Sequence, residues 1–179
     1  MDPKAPRRRW GWGVAGDEPD RESVEEHKAF LESELGFPDL PVLDPVPLSE
    51  ADVPEPGLAI PDSLSDFCTD DRAARARHTY GMARPETIRA FHGDFAPAPD
   101  LVATPHTESE VADVLAWASE ANVSVSPVTG GTSVVGGSGP PGGELRARFD
   151  GTLALNLSEL DQVLEIDETS RTARIQGGT

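Results

Sequence analysis

The chain has 179 residues, of which 32 are Asp or Glu and 15 are Lys or Arg, so its formal net charge is −17. A field of that sign repels nucleic-acid phosphates and anionic membrane surfaces, which excludes both as partners. The single cysteine, Cys68, excludes an intrachain disulfide, and no apolar run approaches the ~20 residues of a membrane span. We expect a cytoplasmic protein.

The acidic composition itself suggests an adaptation. Lysine occurs only at positions 4 and 28, whereas Asp and Glu total 32. This bias is typical of a protein kept hydrated in concentrated salt, and it predicts loss of structure at low salt, where carboxylate repulsion is unscreened. The alternative is a generally acidic surface that is not an adaptation to salt.

The N-terminal part predicts one helix. Arg7 to Arg9 resemble the start of a signal sequence, but Trp10 to Gly13 and acidic residues follow in place of an apolar segment. Glu22 to Leu35 predict an acidic helix that ends at Gly36. Its thin apolar face consists of Val24, Leu31 and Leu35.

Seven prolines between positions 38 and 61 predict an extended connector that lies along another surface or stays mobile. Asp70 to Arg84 should begin as a helix, because acids lead and arginines follow, which complements the helix dipole. We divide the chain into an N-terminal extension (1–61), a helical lead-in (62–96) and a domain portion (97–179).

The domain portion opens with a strand, a helix and a second strand. Leu101 to Ala103 predict the first strand, and Thr107 to Ala121 predict the helix, whose first residue forms a capping box with Glu110. Asn122 is a plausible stop before the second strand, Val123 to Val125. The predicted apolar face of the helix consists of Val111, Val114, Leu115 and Ala118.

A glycine turn follows directly, and its residues are Pro127, Val128, Thr129, Gly130, Gly131, Thr132 and Ser133. Glycine permits positive φ and close approach of a ligand, and successive N–H groups with two hydroxyls can bind phosphate oxygens without a lysine. This chemistry suits a dinucleotide pyrophosphate. The turn alone could equally be an ordinary flexible loop. Neither the P-loop nor the Rossmann glycine pattern is present.

The order of several motifs narrows these alternatives. They are Trp10 to Gly13, Asp70 to Arg72, Arg77-His78 with Gly81, Ala98 to Val102, Pro105, Asn122-Val123, Pro127 to Val134, Leu153 to Leu157, Leu160-Asp161 and Ile166-Asp167. In this order they resemble the FAD-binding domain of the vanillyl-alcohol-oxidase superfamily. The resemblance is strongest in the branch of the alkyldihydroxyacetonephosphate synthases and the FAD-linked oxidases.

The resemblance implies an α+β fold, a PCMH-type FAD-binding domain that is incomplete, with FAD held by the turn at 127–133. Thr132 stands where some relatives carry a histidine bonded to flavin, so FAD should bind non-covalently. Thr129 and Asn156 replace the family's usual glycine and aspartate. The implied reaction is either exchange of an acyl ester for an alkyl ether on glycerone phosphate or oxidation of a 2-hydroxy acid.

An alternative hypothesis is a truncated, non-catalytic product, or one half of a split enzyme completed by a complementary C-terminal half. Thr172 to Gln176 predict a strand whose partners are not fully supplied. Catalytic residues, substrate, electron acceptor and oligomeric state stay open.

Other candidate sites are weaker. The four histidines lack metal-ligand spacing, so we expect no metal. We expect His78 to pack at a helix end, and Trp10 and Trp12 to hold the chain terminus on the core. Asp161 and Asp167 could form a carboxylate pair, but a role in turns is favoured.

Overall fold

Residues 7–178 are described by a computed structural model of mixed α and β structure, in agreement with the predicted class. The helices are α1 (Arg21–Leu35), α2 (Arg72–Arg77), α3 (Arg84–Phe91), α4 (Glu108–Glu120) and α5 (Gly143–Arg146). The strands are β1 (Cys68–Thr69), β2 (Leu101–Ala103), β3 (Val123–Val128), β4 (Gly151–Asn156), β5 (Val163–Asp167) and β6 (Thr172–Ile175). A 3₁₀ turn, Asp62–Leu64, precedes β1.

Three parallel strands form the centre of the main sheet. The order is β1-β2-β4-β3, with β2, β4 and β3 parallel and β1 antiparallel to β2. Leu153 of β4 lies between Leu101 of β2 and Val125 of β3. Because β4 has a partner on each side, it is buried from Gly151 to Leu155. Such strands are near-continuously apolar, which explains the sequence Gly-Thr-Leu-Ala-Leu.

The helix between β2 and β3 begins and ends where the sequence predicts. Thr107 is the N-cap of α4, and both hydrogen bonds of the capping box with Glu110 are present. Asn122 adopts a φ of 53°, a left-handed conformation that asparagine tolerates and that ends the helix before β3.

One residue of the predicted apolar face of α4 is wrongly placed. Val114 and Ala118 are buried, but Leu115 is 49% exposed. Trp117 packs against the core in its place. At about 100° per residue, Leu115 and Trp117 each lie about 60° outside the stripe through Val114 and Ala118, on opposite sides, so periodicity alone does not decide which of the two is buried.

The proline-rich connector lies along the folded core, which is one of its two predicted arrangements. Leu58 and Ile60 pack against the main core cluster under the sheet, and a Cβ at Gly151 would overlap the side chain of Leu58. Ala51 and Val53 are buried in a second cluster around Phe95. The connector therefore covers sheet residues, while the proposed domain boundary at residue 61 stays a prediction.

A buried carboxylate joins the connector to the sheet. Asp100 Oδ1 accepts a hydrogen bond from Gly57 N at 2.7 Å. Its Oδ2 accepts from Thr152 N at 2.8 Å and from Arg146 Nη2 at 2.9 Å. Since buried carboxylates require such partners, Asp100 fixes three segments of the chain relative to one another.

The last two strands form a separate antiparallel hairpin. The sequence predicts a strand at 172–176 but does not supply all of its partners. In the structure, β6 pairs with β5. All residues of both strands are exposed, including Val163, Ile166 and Ile175. Asp167 accepts hydrogen bonds from Thr169 N and Ser170 N in the hairpin turn, as favoured for this residue, and the Ser170 bonds lower its pKa.

The first two helices have aspartate N-caps, and the first helix ends at the predicted glycine. Asp20 is the N-cap of α1 and accepts from Ser23 N, and Gly36 ends the helix with a φ of 67°. Asp71 caps α2, so the segment that starts at Asp70 is helical at first, as expected. No residue of α1 is buried. None of the helices in residues 7–178 combines the length and apolar character needed to cross a membrane.

The N-terminal hairpin, residues 7–14, is a feature that the sequence did not predict. The backbone of Arg7 pairs with that of Val14, and Arg8 N donates to Gly13 O at 3.0 Å. Trp10 packs edge-on against Phe91 of α3, with ring centroids 5.4 Å apart. Trp10 thus holds the chain terminus on the core as expected, whereas Trp12 is 59% exposed.

Candidate functional site

The glycine turn lies at the edge where the three parallel strands end. The carboxyl ends of β2, β4 and β3 are Ala103, Asn156 and Val128, and the turn 129–133 leaves directly from β3. In open sheets of this kind, ligands bind outside the carboxyl ends of the strands. The predicted site residues therefore lie together at the edge where a ligand is expected.

The backbone of the turn requires glycine at one position and leaves space at another. Gly131 has a φ of 57°, and a Cβ there would overlap the guanidinium of Arg7. At Gly130 the nearest atom to an added Cβ is Thr132 Cγ2 at 3.8 Å, which is ordinary contact. Thr129 lies outside the left-handed region, as expected for a residue with a Cβ.

The amide groups of the turn are available to a ligand. Among the hydrogen bonds between described residues, the N–H groups of Gly130, Gly131 and Thr132 donate to no other group. Gly130 and Thr132 are exposed, and Gly131 and Ser133 are half-buried. Successive free N–H groups beside two hydroxyls can donate to an anion with several oxygens, such as a pyrophosphate.

The segment before α3 packs against the turn and supports it. Met82 N donates to Ser133 O at 2.6 Å. A Cβ at Gly81 would lie 2.6 Å from both Ser133 O and Ser138 Oγ, so glycine is required where these two segments cross. The Arg-His-x-x-Gly element thus supports the turn from behind.

Comparison with known families supports the cofactor. Residues 99–179 match a family model described as an FAD binding domain, and this range contains β2, α4, β3 and the whole turn. Residues 99–179 are therefore identified as an FAD-binding domain similar to those of the vanillyl-alcohol-oxidase superfamily. The predicted recognition and the predicted cofactor, FAD, are confirmed.

Sequence relatives of this FAD-binding chain include two kinds of protein. An alkyldihydroxyacetonephosphate synthase of Dictyostelium discoideum is 36% identical over 115 residues, which are 64% of this chain and 18% of the relative. A glycolate oxidase subunit, GlcD, of Bacillus subtilis (strain 168) is 35% identical over 80 residues, which are 45% of this chain and 15% of the relative.

A solved alkyldihydroxyacetonephosphate synthase structure is similar over a longer stretch. It matches with a TM-score of 0.78 at 27% identity, over 97% of this chain and 36% of that chain. The FAD-binding chain described here thus spans well under half the length of the proteins that it matches.

Asn156, which replaces the family's usual aspartate, joins two strand ends of the FAD-binding domain. Its Nδ2 donates to Thr104 Oγ1 at 3.3 Å, and its Oδ1 accepts from Ser158 N at 3.2 Å. The amide therefore links the end of β2 to the residues after β4, a role for which a carboxylate is not needed.

An arginine contacts the turn of this FAD-binding domain, a feature that the sequence analysis missed. Arg7 Nη1 donates to Gly131 O at 2.9 Å. Burial lowers the pKa of Arg7 and, together with the nearby charge of Arg77, that of Arg9. The available signal was the run of three arginines before Trp10, which was considered only as a signal sequence.

His78 has a structural role at the base of the site. It is the C-cap of α2, and its Nδ1 lies 2.8 Å from Ala74 O. Burial lowers the pKa of His78, and the charges of Arg77 and Arg7 lower it further. The ring is therefore neutral at pH 7, consistent with the expected packing role at a helix end.

Proposed function

We propose that Pro127 to Ser133 hold the pyrophosphate of FAD, through the backbone N–H groups of the turn and the hydroxyls of Thr132 and Ser133. The observation that carries this proposal is the set of N–H groups in the glycine turn that donate to no group among residues 7–178, at the carboxyl edge of the sheet and within the segment that matches the FAD-binding family. Main-chain donors held rigidly by β3 and by Met82 need little reorganisation when the anion binds.

When bound, FAD supplies a redox-active and electrophilic ring system. The residues of this chain bind and orient the pyrophosphate end of that cofactor. We propose that the attachment is non-covalent, because Thr132 offers no imidazole where some family members carry a histidine. Flavin should accordingly leave the protein completely on acid precipitation.

We further propose that the whole protein catalyses an alkylglycerone-phosphate-synthase-like reaction. In support, the similarity to the solved synthase extends over 97% of this chain and so includes the N-terminal extension. The match to the glycolate oxidase subunit supports a second candidate, a 2-hydroxy-acid dehydrogenase, but covers only 45% of the chain. Anaerobic reduction of bound flavin by glycolate or lactate would favour this second candidate.

A complementary C-terminal half, within the same polypeptide or encoded separately, is also part of the proposal. The exposed apolar residues of the β5–β6 hairpin, among them Val163, Ile166 and Ile175, offer it a surface. The same proposal includes a cytoplasmic location, since the only cysteine is buried and no disulfide needs an oxidising compartment.

The test is retention of flavin by the purified chain. The protein is prepared in high salt with FAD and desalted, and the visible spectrum of the protein fraction is recorded. The informative variant is Gly130→Ala, because its Cβ has room in the folded chain but would stand where a phosphate approaches the backbone. The matched control is Gly142→Ala, whose Cβ meets nothing within 4 Å.

We expect flavin peaks in the wild type and in Gly142→Ala, and at least roughly tenfold weaker FAD binding in Gly130→Ala. Both variants should melt close to the wild type, because a Gly→Ala change at a permitted φ alters stability by only about 0.4–1 kcal/mol. A colourless wild type, or a Gly130→Ala variant that binds FAD as the wild type does, contradicts the proposal.

A further inference from the structure

The N-terminal hairpin places an arginine directly on the glycine turn, 124 positions away in sequence. Arg7 Nη1 donates to Gly131 O at 2.9 Å, and the guanidinium fills the space beside the Gly131 Cα atom. The left-handed φ of Gly131 and the absence of its side chain are thus both matched to the position of Arg7.

Several contacts fix the hairpin and therefore the arginine. Arg8 N donates to Gly13 O, and the Arg8 guanidinium lies over the Trp10 ring, 5.6 Å from its centroid. Trp10 in turn packs against Phe91 of α3. Arg7 is consequently held by the folded core and does not depend on the turn alone for its position.

The donors of Arg7 are only partly used. Its single hydrogen bond to another residue in the range 7–178 is the one to Gly131 O, and within that range no carboxylate lies within 4 Å of it. A guanidinium has five N–H donors in a planar fork that matches phosphate oxygens. The charges of Arg7 and Arg77 both act on His78, and Arg77 also acts on Arg9, whose charge Glu18 partly offsets.

This local positive charge stands out in a chain of net charge −17. Arg7 itself is half-buried, and this desolvation, which lowers the pKa of Arg7, favours an anionic partner for its guanidinium. Arg7 contacts the same short turn in which the N–H groups of Gly130, Gly131 and Thr132 donate to no group among residues 7–178. An anion bound to the turn would therefore lie close to the Arg7 guanidinium.

We propose that Arg7 is a cofactor-binding residue, which donates charge-assisted hydrogen bonds to the pyrophosphate of FAD across the glycine turn. This inference rests on the proposed function and deepens it, because it gives the site a side chain that contacts the cofactor from the N-terminal extension. The extension thereby becomes part of the FAD site.

The experiment measures the affinity of the full chain for FAD by quenching of flavin fluorescence, at one fixed salt concentration. Two substitutions separate the charge from the contact with the turn. Arg7→Ala removes both, whereas Arg7→Gln removes the charge but keeps an N–H donor for the Gly131 carbonyl. The control is Arg21→Ala, which removes the same charge from an exposed site on α1.

We expect both Arg7 variants to bind FAD roughly 10- to 100-fold more weakly than the wild type, as for loss of hydrogen bonds to a charged group. Arg21→Ala should bind as the wild type does. Thermal melting shows whether each variant is folded. If Arg7→Ala does not fold, the comparison of Arg7→Gln with the wild type decides the test.

The outcomes distinguish the inference from the proposed function. Wild-type affinity in a folded Arg7→Ala variant overturns the inference, and so does full rescue by Arg7→Gln, which would limit Arg7 to supporting the turn. A wild-type chain that fails to bind FAD overturns the proposed function itself.

Discussion

β4 and β5 are both short strands with apolar residues, yet β4 is buried along five of its six residues and β5 is fully exposed. In β4, Leu153 is 0% and Leu155 is 4% exposed. In β5, Val163 is 55% and Ile166 is 69% exposed. The two strands differ less in sequence than in their surroundings.

The difference shows that the burial of a strand in this chain depends on which other segments pack against it. β4 has strands on both sides, α4 packs over its sheet, and Leu58 of the connector packs against Gly151. The β5–β6 hairpin has none of these among the described residues, and only its two strands pair. Two-stranded hairpins are marginal in water, so the stability of this chain must reside in the main sheet.

The first prediction tests this contrast directly. Leu153→Ala should lower the free energy of unfolding by about 3 kcal/mol, because it removes a fully buried side chain and leaves a cavity. Ile166→Ala should change it by less than about 0.5 kcal/mol, because Ile166 is already exposed. Urea denaturation measures both. Similar losses in the two variants would show that the hairpin is covered in solution.

Local signals in the sequence predicted much of the main sheet. The capping box at Thr107, the stop at Asn122 and the apolar segment from Leu101 each act over a few residues, so they can be identified without knowing the fold. The glycine turn could be located for the same reason. Leu115 was misplaced because periodicity defines a helix face only to within about one residue.

Long-range contacts could not be predicted. The bond from Arg7 to Gly131 O joins residues 124 positions apart, and nothing near either residue indicates the other. The same holds for Leu58 against Gly151 and for the bond from Gly57 N to Asp100. The family resemblance supplied the cofactor, but the part that the N-terminal extension plays in the site became apparent only from the folded arrangement.

The second prediction concerns the connector as a cover for β4. Gly151→Ala should destabilise the chain by about 1–3 kcal/mol, because the new Cβ overlaps Leu58 in a packed core. Combining it with Leu58→Ala should cost less than the sum of the two single changes, since the second change removes the overlap. Additive losses in urea denaturation would mean that Leu58 does not cover Gly151 in solution.

The third and smallest effect concerns salt and the exposed helix α1. Five glutamates occur within Arg21–Leu35, and the ion pairs of Arg21 with Glu25 and of Lys28 with Glu32 compensate two of them. Lowering the salt from about 1 M to 0.01 M lengthens electrostatic screening from about 3 to 30 Å, which strengthens repulsion among these carboxylates. Amide exchange should accelerate in α1 and stay slow in β4.

The control for this effect is the double variant Glu26→Gln, Glu34→Gln, which removes two glutamates that have no ion pair within 4 Å to any residue in the range 7–178. It should reduce the salt dependence of exchange in α1, because fewer like charges repel and Glu34 no longer opposes the helix dipole. If exchange in α1 is the same at both salt concentrations, the acidic surface is not an adaptation to salt. If exchange in β4 accelerates as well, repulsion across the whole surface destabilises the sheet. The difference in stability between buried and exposed segments would then be smaller than the burial of β4 indicates.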